Sequence, residues 1–130
     1  MGKLYLQKLN MKEQMTENKK TVEKYMDGFR KSDHEQILSC LTENVVWEMP
    51  GVYYHNGKKE FDKEIENDAF TDSPEITIIR LIEENGVVAA EGKVKAKRKD
   101  GGFLNAVFCD VFIMKNGKID KLISYLMEVK

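Results

Sequence analysis

Residues 85–117 read N-G-V-V-A-A-E-G-K-V-K-A-K-R-K-D-G-G-F-L-N-A-V-F-C-D-V-F-I-M-K-N-G, and they decide the fold class. Asn85-Gly86, Asp100-Gly101-Gly102 and Asn116-Gly117 are three hairpin turns at nearly regular spacing. They divide the second half of the chain into four strands, near 75–84, 87–98, 103–115 and 118–129. The segment 87–98 alternates an apolar face (Val88, Ala90, Gly92, Val94, Ala96) with a wet one (Glu91, Lys93, Lys95, Lys97). In 103–115 both faces are apolar. Leu104, Ala106, Phe108, Phe112 and Met114 stand on one, and Phe103, Val107, Cys109, Val111 and Ile113 on the other. A strand greasy on both sides must be covered twice. Helices cover one face, and a second subunit is the natural cover for the other, so a homodimer is expected.

Upstream the period changes. Thr16 is a helix cap, and Val22, Tyr25, Met26 and Phe29 follow at i, i+3, i+4, i+7, which predicts a helix to about Lys31. Ser32-Asp33-His34-Glu35 reads as a capping box for a second, shorter helix carrying Ile37, Leu38 and Leu41 inward. Asn44–Met49 reads as a strand stopped by Pro50-Gly51, and residues 51–57 as a loop around Tyr53, Tyr54 and His55. Lys58 to about Asp68 is a short charged helix with Phe61 and Ile65 on its inner side. Residues 1–15, with three leucines and no clear cap, read as an extension before a domain at 16–130. Helices followed by an antiparallel meander give an α+β class.

Length and charge narrow the function classes. A chain of 130 residues suits one domain, and 21 basic against 22 acidic groups leave net −1. That balance argues against nucleic acid or an anionic membrane as the main partner. No run approaches membrane-spanning length and no leader opens the chain, so a soluble, cytoplasmic protein is expected. The two cysteines make no disulfide framework. His34, His55, Cys40 and Cys109 lack ligand spacing, and no phosphate loop is present, so neither metal nor cofactor is expected. The lysines at 93, 95 and 97 read as an exposed strand face that resists edge pairing.

Asp110 is the most informative position. It interrupts the apolar run of its face and should point into the core, where a carboxylate must find a donor, stay protonated or serve a ligand. Tyr25, on the inner face of the first helix, poses the same question for a phenol. A core Asp bonded to a tyrosine or an amide is the plainer alternative.

The stretch 21–50, T-V-E-K-Y-M-D-G-F-R-K-S-D-H-E-Q-I-L-S-C-L-T-E-N-V-V-W-E-M-P, resembles the opening of ketosteroid isomerases and the wider nuclear transport factor 2-like superfamily, which includes the SnoaL-like cyclases. The closing segment 108–126, F-C-D-V-F-I-M-K-N-G-K-I-D-K-L-I-S-Y-L, is similar to that superfamily's last hairpin. The resemblance implies N-terminal helices packed on a strongly curved antiparallel sheet, a cystatin-like cone. It implies that Tyr25 and Asp110 form an oxyanion site, the tyrosine donating to the substrate oxygen and the acid kept neutral so that it too donates; ketosteroid isomerase is the standard case of that tuning. At the position of the isomerase's basic Asp this chain has Met49, and a thioether abstracts no proton. The expected function is therefore binding of a small apolar carbonyl or phenolic compound, with enolisation, isomerisation or cyclisation open and the usual base missing. Phe29, Trp47, Met49, His55, Phe61, Phe108, Phe112 and Tyr125 are the expected lining. A binding module without turnover, and an interaction module whose aromatics simply fill the core, are the alternatives.

Overall fold

A computed structural model describes residues 15–65, 70 and 73–130. Helix α1 spans Glu17–Lys31, and the Thr16 side chain caps it by accepting from the Lys19 amide at 3.1 Å. Its buried stripe is Val22, Tyr25, Met26 and Gly28. The break that follows differs from the sequence reading by one residue. Ser32 adopts a left-handed conformation (φ 52°) and ends α1, its amide donating to the carbonyls of Gly28 and Phe29. Asp33 is the cap of α2 (His34–Ser39), accepting from the Gln36 amide at 3.0 Å. A serine freed from capping instead shares a 2.7 Å hydrogen bond with Ser73.

Strand β1 covers Leu41–Met49, three residues longer at its start than the sequence suggested. The predicted loop holds a short strand, β2 (Tyr53–Asn56), which turns back on β1 in the register Trp47↔His55 and Met49↔Tyr53. Helix α3 follows at Lys58–Ile65; the expected continuation to Asp68 and the N-terminal extension lie outside the described residues, apart from Met15. Strands β3 (Glu75–Glu84), β4 (Val87–Lys97), β5 (Phe103–Lys115) and β6 (Lys118–Glu128) form the meander. At two of its turns both residues have positive φ (Asn85 51°, Gly86 76°; Asn116 52°, Gly117 76°), the combination that matches the twist of a two-residue hairpin.

All six strands belong to one open sheet in the order β2-β1-β6-β5-β4-β3. It is mixed rather than wholly antiparallel, because β1 lies parallel to β6, paired as Trp47↔Leu122 and Glu48↔Ile123. Bulges interrupt β3 between Ile78 and Arg80 and the β5–β6 ladder between Ile113 and Met114, and such bulges bend strands. The helices lie on one face. Arg30 Nε donates to the Ile76 carbonyl at 3.0 Å and Thr21 Oγ1 to the Gly117 carbonyl at 2.7 Å, tying α1 to both ends of the meander. Between helices and sheet sit Val22, Tyr25, Ile37, Leu41, Val45, Phe61, Val88, Phe112, Ile119 and Leu122. Gly92 is needed for this packing: a Cβ there would stand 2.6 Å from the ring of Phe108, its partner across the ladder.

The opposite face carries the second apolar side of β5. Val107 and Ile113 are exposed there, with Tyr125 (51%) and Met127 (71%) beside them on β6 and Ile82 on β3.

Candidate active site

Strand alternation delivers Trp47 on β1, Tyr53 and His55 on β2, Asp110 on β5 and Ser124 on β6 to the helix-covered side of the sheet. Asp110 and Ser124 are direct partners across the β5–β6 ladder. Ser124, only 5% exposed, accepts from the Trp47 indole N–H at 3.0 Å. Burial lifts the Asp110 carboxyl to about 7, and the Ser124 hydroxyl offsets part of that rise. Near neutrality this acid therefore exists in both forms, and its protonated form is a donor.

Two phenols share its surroundings. Tyr25, 2% exposed, is pushed far up by burial and next by the charge of Asp110; Tyr53 is pushed up by burial, then by Glu64, then by Asp110. Each stays a neutral O–H donor over the whole working range. Among the described residues neither phenol oxygen makes a hydrogen bond, and neither is so enclosed as to count as a buried unpartnered atom, which leaves both able to meet an acceptor. Tyr53 was hidden in the predicted loop; the signal for it was the alternation Tyr53-Tyr54-His55, which puts Tyr53 inward once β2 pairs with β1. Ser124 was hidden among the apolar residues of β6, and only the ladder opposite Asp110 reveals it.

The expected lining residues divide into three groups. Phe29, Trp47, Phe61 and Phe112 come together with Tyr25 as a ring cluster: Tyr25 lies 5.0 Å from Phe29 and 5.3 Å from Phe112, and Trp47 stacks on Phe61 at 4.4 Å. These rings pack against one another instead of standing around an open cone. Met49 and Phe108 line a cleft of about 530 Å³ at the rim, where β6 runs on beyond the last β1 pair at Glu48↔Ile123. Pro50, Val52, Ser124 and Leu126 complete its inner side, so Ser124 belongs both to the cleft and to the buried chain from Trp47 to Asp110. Tyr125 stands opposite Cys109 on the outer face and reaches the same cleft from that side.

His55 is in β2 and not in a loop. Its ring stacks on Tyr53 at 4.6 Å and its Nε2 lies 2.8 Å from Glu64 Oε1, so it is held against α3. Burial raises the thiols of Cys40 and Cys109, the reverse of an activated nucleophile. Among the described residues no group of three or more His, Cys, Asp or Glu side chains is placed to hold a metal ion, and no helix is long and apolar enough to cross a membrane.

The model of the SnoaL-like domain family matches residues 22–122, well over half of the chain. No curated protein sequence matches it. Solved structures with the same fold include an LEH-like epoxide hydrolase from M. tuberculosis, at 18% identity and TM-score 0.76, the match covering 85% of this chain and 83% of that one. A nuclear transport factor 2-like protein of unknown function from Burkholderia pseudomallei aligns at 17% identity and TM-score 0.80, covering 87% and 92%. TerC, co-crystallised with polyporic acid, aligns at 19% identity and TM-score 0.78, covering 86% and 92%.

Proposed function

The chain belongs to the SnoaL-like domain family, and from that premise we propose that it binds a small, largely apolar molecule through a carbonyl or phenolic oxygen. The apolar body of the ligand lies in the rim cleft against Met49, Val52, Phe108 and Leu126, and its oxygen points toward Ser124 and Asp110. One observation carries this reading. Two phenols, the buried Tyr25 and the half-buried Tyr53, lack hydrogen-bond partners among the described residues, and both feel the charge of a carboxyl raised to about 7. Two O–H donors that feel the same carboxyl, and that acid in its protonated form, are suited to an acceptor oxygen and to the negative charge that grows on it during enolisation. Any reaction here proceeds without a base at Met49, so binding is the core of the proposal and turnover its extension. TerC with polyporic acid and the epoxide hydrolase are examples of the same fold put to small-molecule use.

A thermal-shift screen of phenols, cyclic ketones and flat polycyclic carbonyl compounds tests this, run on wild type and Asp110→Asn. A ligand of the native state raises the melting temperature by mass action. The proposal expects one class to stabilise the wild type by several degrees and to lose most of that effect in the variant. Silence across the screen favours a second reading, a filled-core interaction module. The mutual packing of Trp47 on Phe61 and of Tyr25 on Phe29 and Phe112 is what supports that alternative.

The reading includes a homodimer formed through the outer sheet face. Its apolar residues are contiguous across the ladders, Val107 beside Met127, Cys109 beside Tyr125 and Val111 beside Ile123. A second copy supplies the same surface in a two-fold arrangement, which buries both.

A further inference from the structure

Strand β6 has a neighbour on both sides only as far as Ile123. Its ladder with β1 ends at Glu48↔Ile123, whereas its ladder with β5 continues to Ala106↔Glu128. The sequence explains the stop. Pro50 has no N–H to extend the pairing, and the chain turns away there, the Val52 amide donating to the Met49 carbonyl at 2.8 Å. Among the described residues no other strand takes that place, because the sheet order gives β6 only β1 and β5 as neighbours. The open stretch runs along the rim cleft, whose walls include Met49, Pro50, Ser124 and Leu126. Nor is this edge blunted by charge. Its residues from Ser124 to Met127 are Ser, Tyr, Leu and Met, where an exposed edge usually carries lysine or proline.

Which main-chain groups face the opening follows from the register. Antiparallel pairs alternate between those that exchange hydrogen bonds and those whose N–H and C=O point away from each other. The Val129 amide donates to the Asn105 carbonyl at 2.8 Å, so that pair is of the bonded kind. Counting back along the unshifted ladder, Val107↔Met127 and Cys109↔Tyr125 are bonded pairs, while Phe108↔Leu126 and Asp110↔Ser124 are not. The other side of β5 agrees. The Met114 amide donates to the Gly86 carbonyl at 2.9 Å, and the same count turns the Phe108 main chain toward Gly92 of β4, away from Leu126. Leu126 therefore carries its N–H and C=O side by side toward the cleft, with no strand to take them.

We infer that the Leu126 main chain is a second polar subsite of the cleft, for a small apolar ligand with a hydrogen-bond acceptor and a donor on neighbouring atoms. A cyclic amide or an α-hydroxy ketone has that pattern. The ligand's acceptor meets the N–H, its donor meets the C=O, and its apolar body lies against Met49, Val52 and Phe108. A few placed main-chain groups in an apolar cleft are the usual means of fixing a ligand's orientation. Within the cleft the open stretch is short, Ser124 to Met127, less than an ordinary strand and suited to a compact molecule. The subsite takes the cleft from the proposed ligand reading but not the oxygen site at Asp110, so the two fail separately.

The probe is the flat bicyclic lactam carbostyril, which holds C=O and N–H on adjacent atoms; N-methylcarbostyril keeps its shape and loses the donor. Leu126→Pro removes an amide hydrogen that the β5 ladder does not use, a substitution an edge strand tolerates. Leu126→Ala also shortens the side chain but keeps the amide. By titration calorimetry we expect carbostyril to bind wild type roughly tenfold more tightly than its N-methyl derivative. Leu126→Pro should bind it roughly tenfold more weakly than Leu126→Ala does, and Asp110→Asn should bind it as wild type does. Hydrogen exchange needs no variant. In the free protein the Leu126 amide should exchange roughly tenfold or more faster than those of Tyr125 and Met127, and saturating carbostyril should slow it. Absence of carbostyril binding, equal affinity for the two lactams, or a folded Leu126→Pro that binds like Leu126→Ala overturns the inference. Equal protection of Leu126 and its neighbours in a free dimer that Leu126→Pro dissolves assigns the edge to a second copy and overturns it too. Loss of carbostyril binding in Asp110→Asn would place the lactam at that acid and have the same consequence. A silent phenol and ketone screen with carbostyril bound would remove only the oxygen site at Asp110.

Discussion

Asp110 was readable as an anomaly from alternation alone, because a carboxylate in the run Leu104, Ala106, Phe108, Phe112 breaks the pattern of a buried strand face. What it touches was not readable, since Ser124 is fourteen residues away in sequence and becomes its neighbour only through the β5–β6 register. The raised pKa has a consequence for stability whose sign follows from proton linkage. With a native pKa of about 7 against an ordinary value of 3.8, the folded protein binds more protons than the unfolded chain between those limits. The contribution of Asp110 to stability is fully present below about pH 4, is lost as pH rises through 7 and levels off above. The gap sets an upper bound of roughly 4 kcal/mol on the loss. Urea unfolding of wild type and Asp110→Asn across pH 4 to 8 checks this. The variant, whose amide never ionises, should lose most of the decline; parallel profiles would place Asp110 in an ordinary, hydrated environment.

At the scale of elements, the long periodic segments were legible and the punctuation was not fully so. Turn chemistry placed the ends of β3, β4, β5 and β6 to within a residue or two, because an Asn-Gly pair with both φ positive terminates pairing on both sides. The junction of α1 and α2 slipped by one residue because Ser32 and Asp33 are both good caps, and a sequence pattern does not show which takes the left-handed turn. The structure assigns the cap to Asp33, so Asp33→Ala should cost about 1 kcal/mol and Ser32→Ala distinctly less in chemical denaturation. Equal costs would restore the capping-box reading. Strand β2 was missed because the alternation of only four residues, Tyr53–Asn56, is too short to stand out from a loop; pairing with β1 makes them a strand.

For the whole molecule, helices-then-meander was enough to give the α+β class, and the resemblance at 21–50 and 108–126 anticipated the family. The parallel contact of β1 with β6 was beyond local reading, since it joins segments about eighty residues apart through no turn. The same pairing creates the rim cleft, by leaving β6 without a β1 partner past Ile123 while its other side stays on β5. The two-faced apolar β5 carries the quaternary prediction. Light scattering at micromolar concentration should give twice the 15.0 kDa chain mass, and Val107→Glu with Tyr125→Lys should give the monomer. A wild-type monomer would require the outer face to have another cover.

The central claim is that unpartnered phenols and a near-neutral acid together receive one ligand oxygen. Its most direct test is isothermal titration of the best phenol or ketone from the screen into wild type, Tyr25→Phe, Tyr53→Phe and Asp110→Asn near pH 6.5. Each Phe variant removes one oxygen and keeps the ring packing. The account predicts that each substitution weakens binding by about tenfold, the size of one hydrogen bond to an oxygen carrying partial negative charge. Affinities unchanged within twofold in both Tyr→Phe variants would contradict it, and would leave the cleft as an apolar surface with no oxygen site behind it.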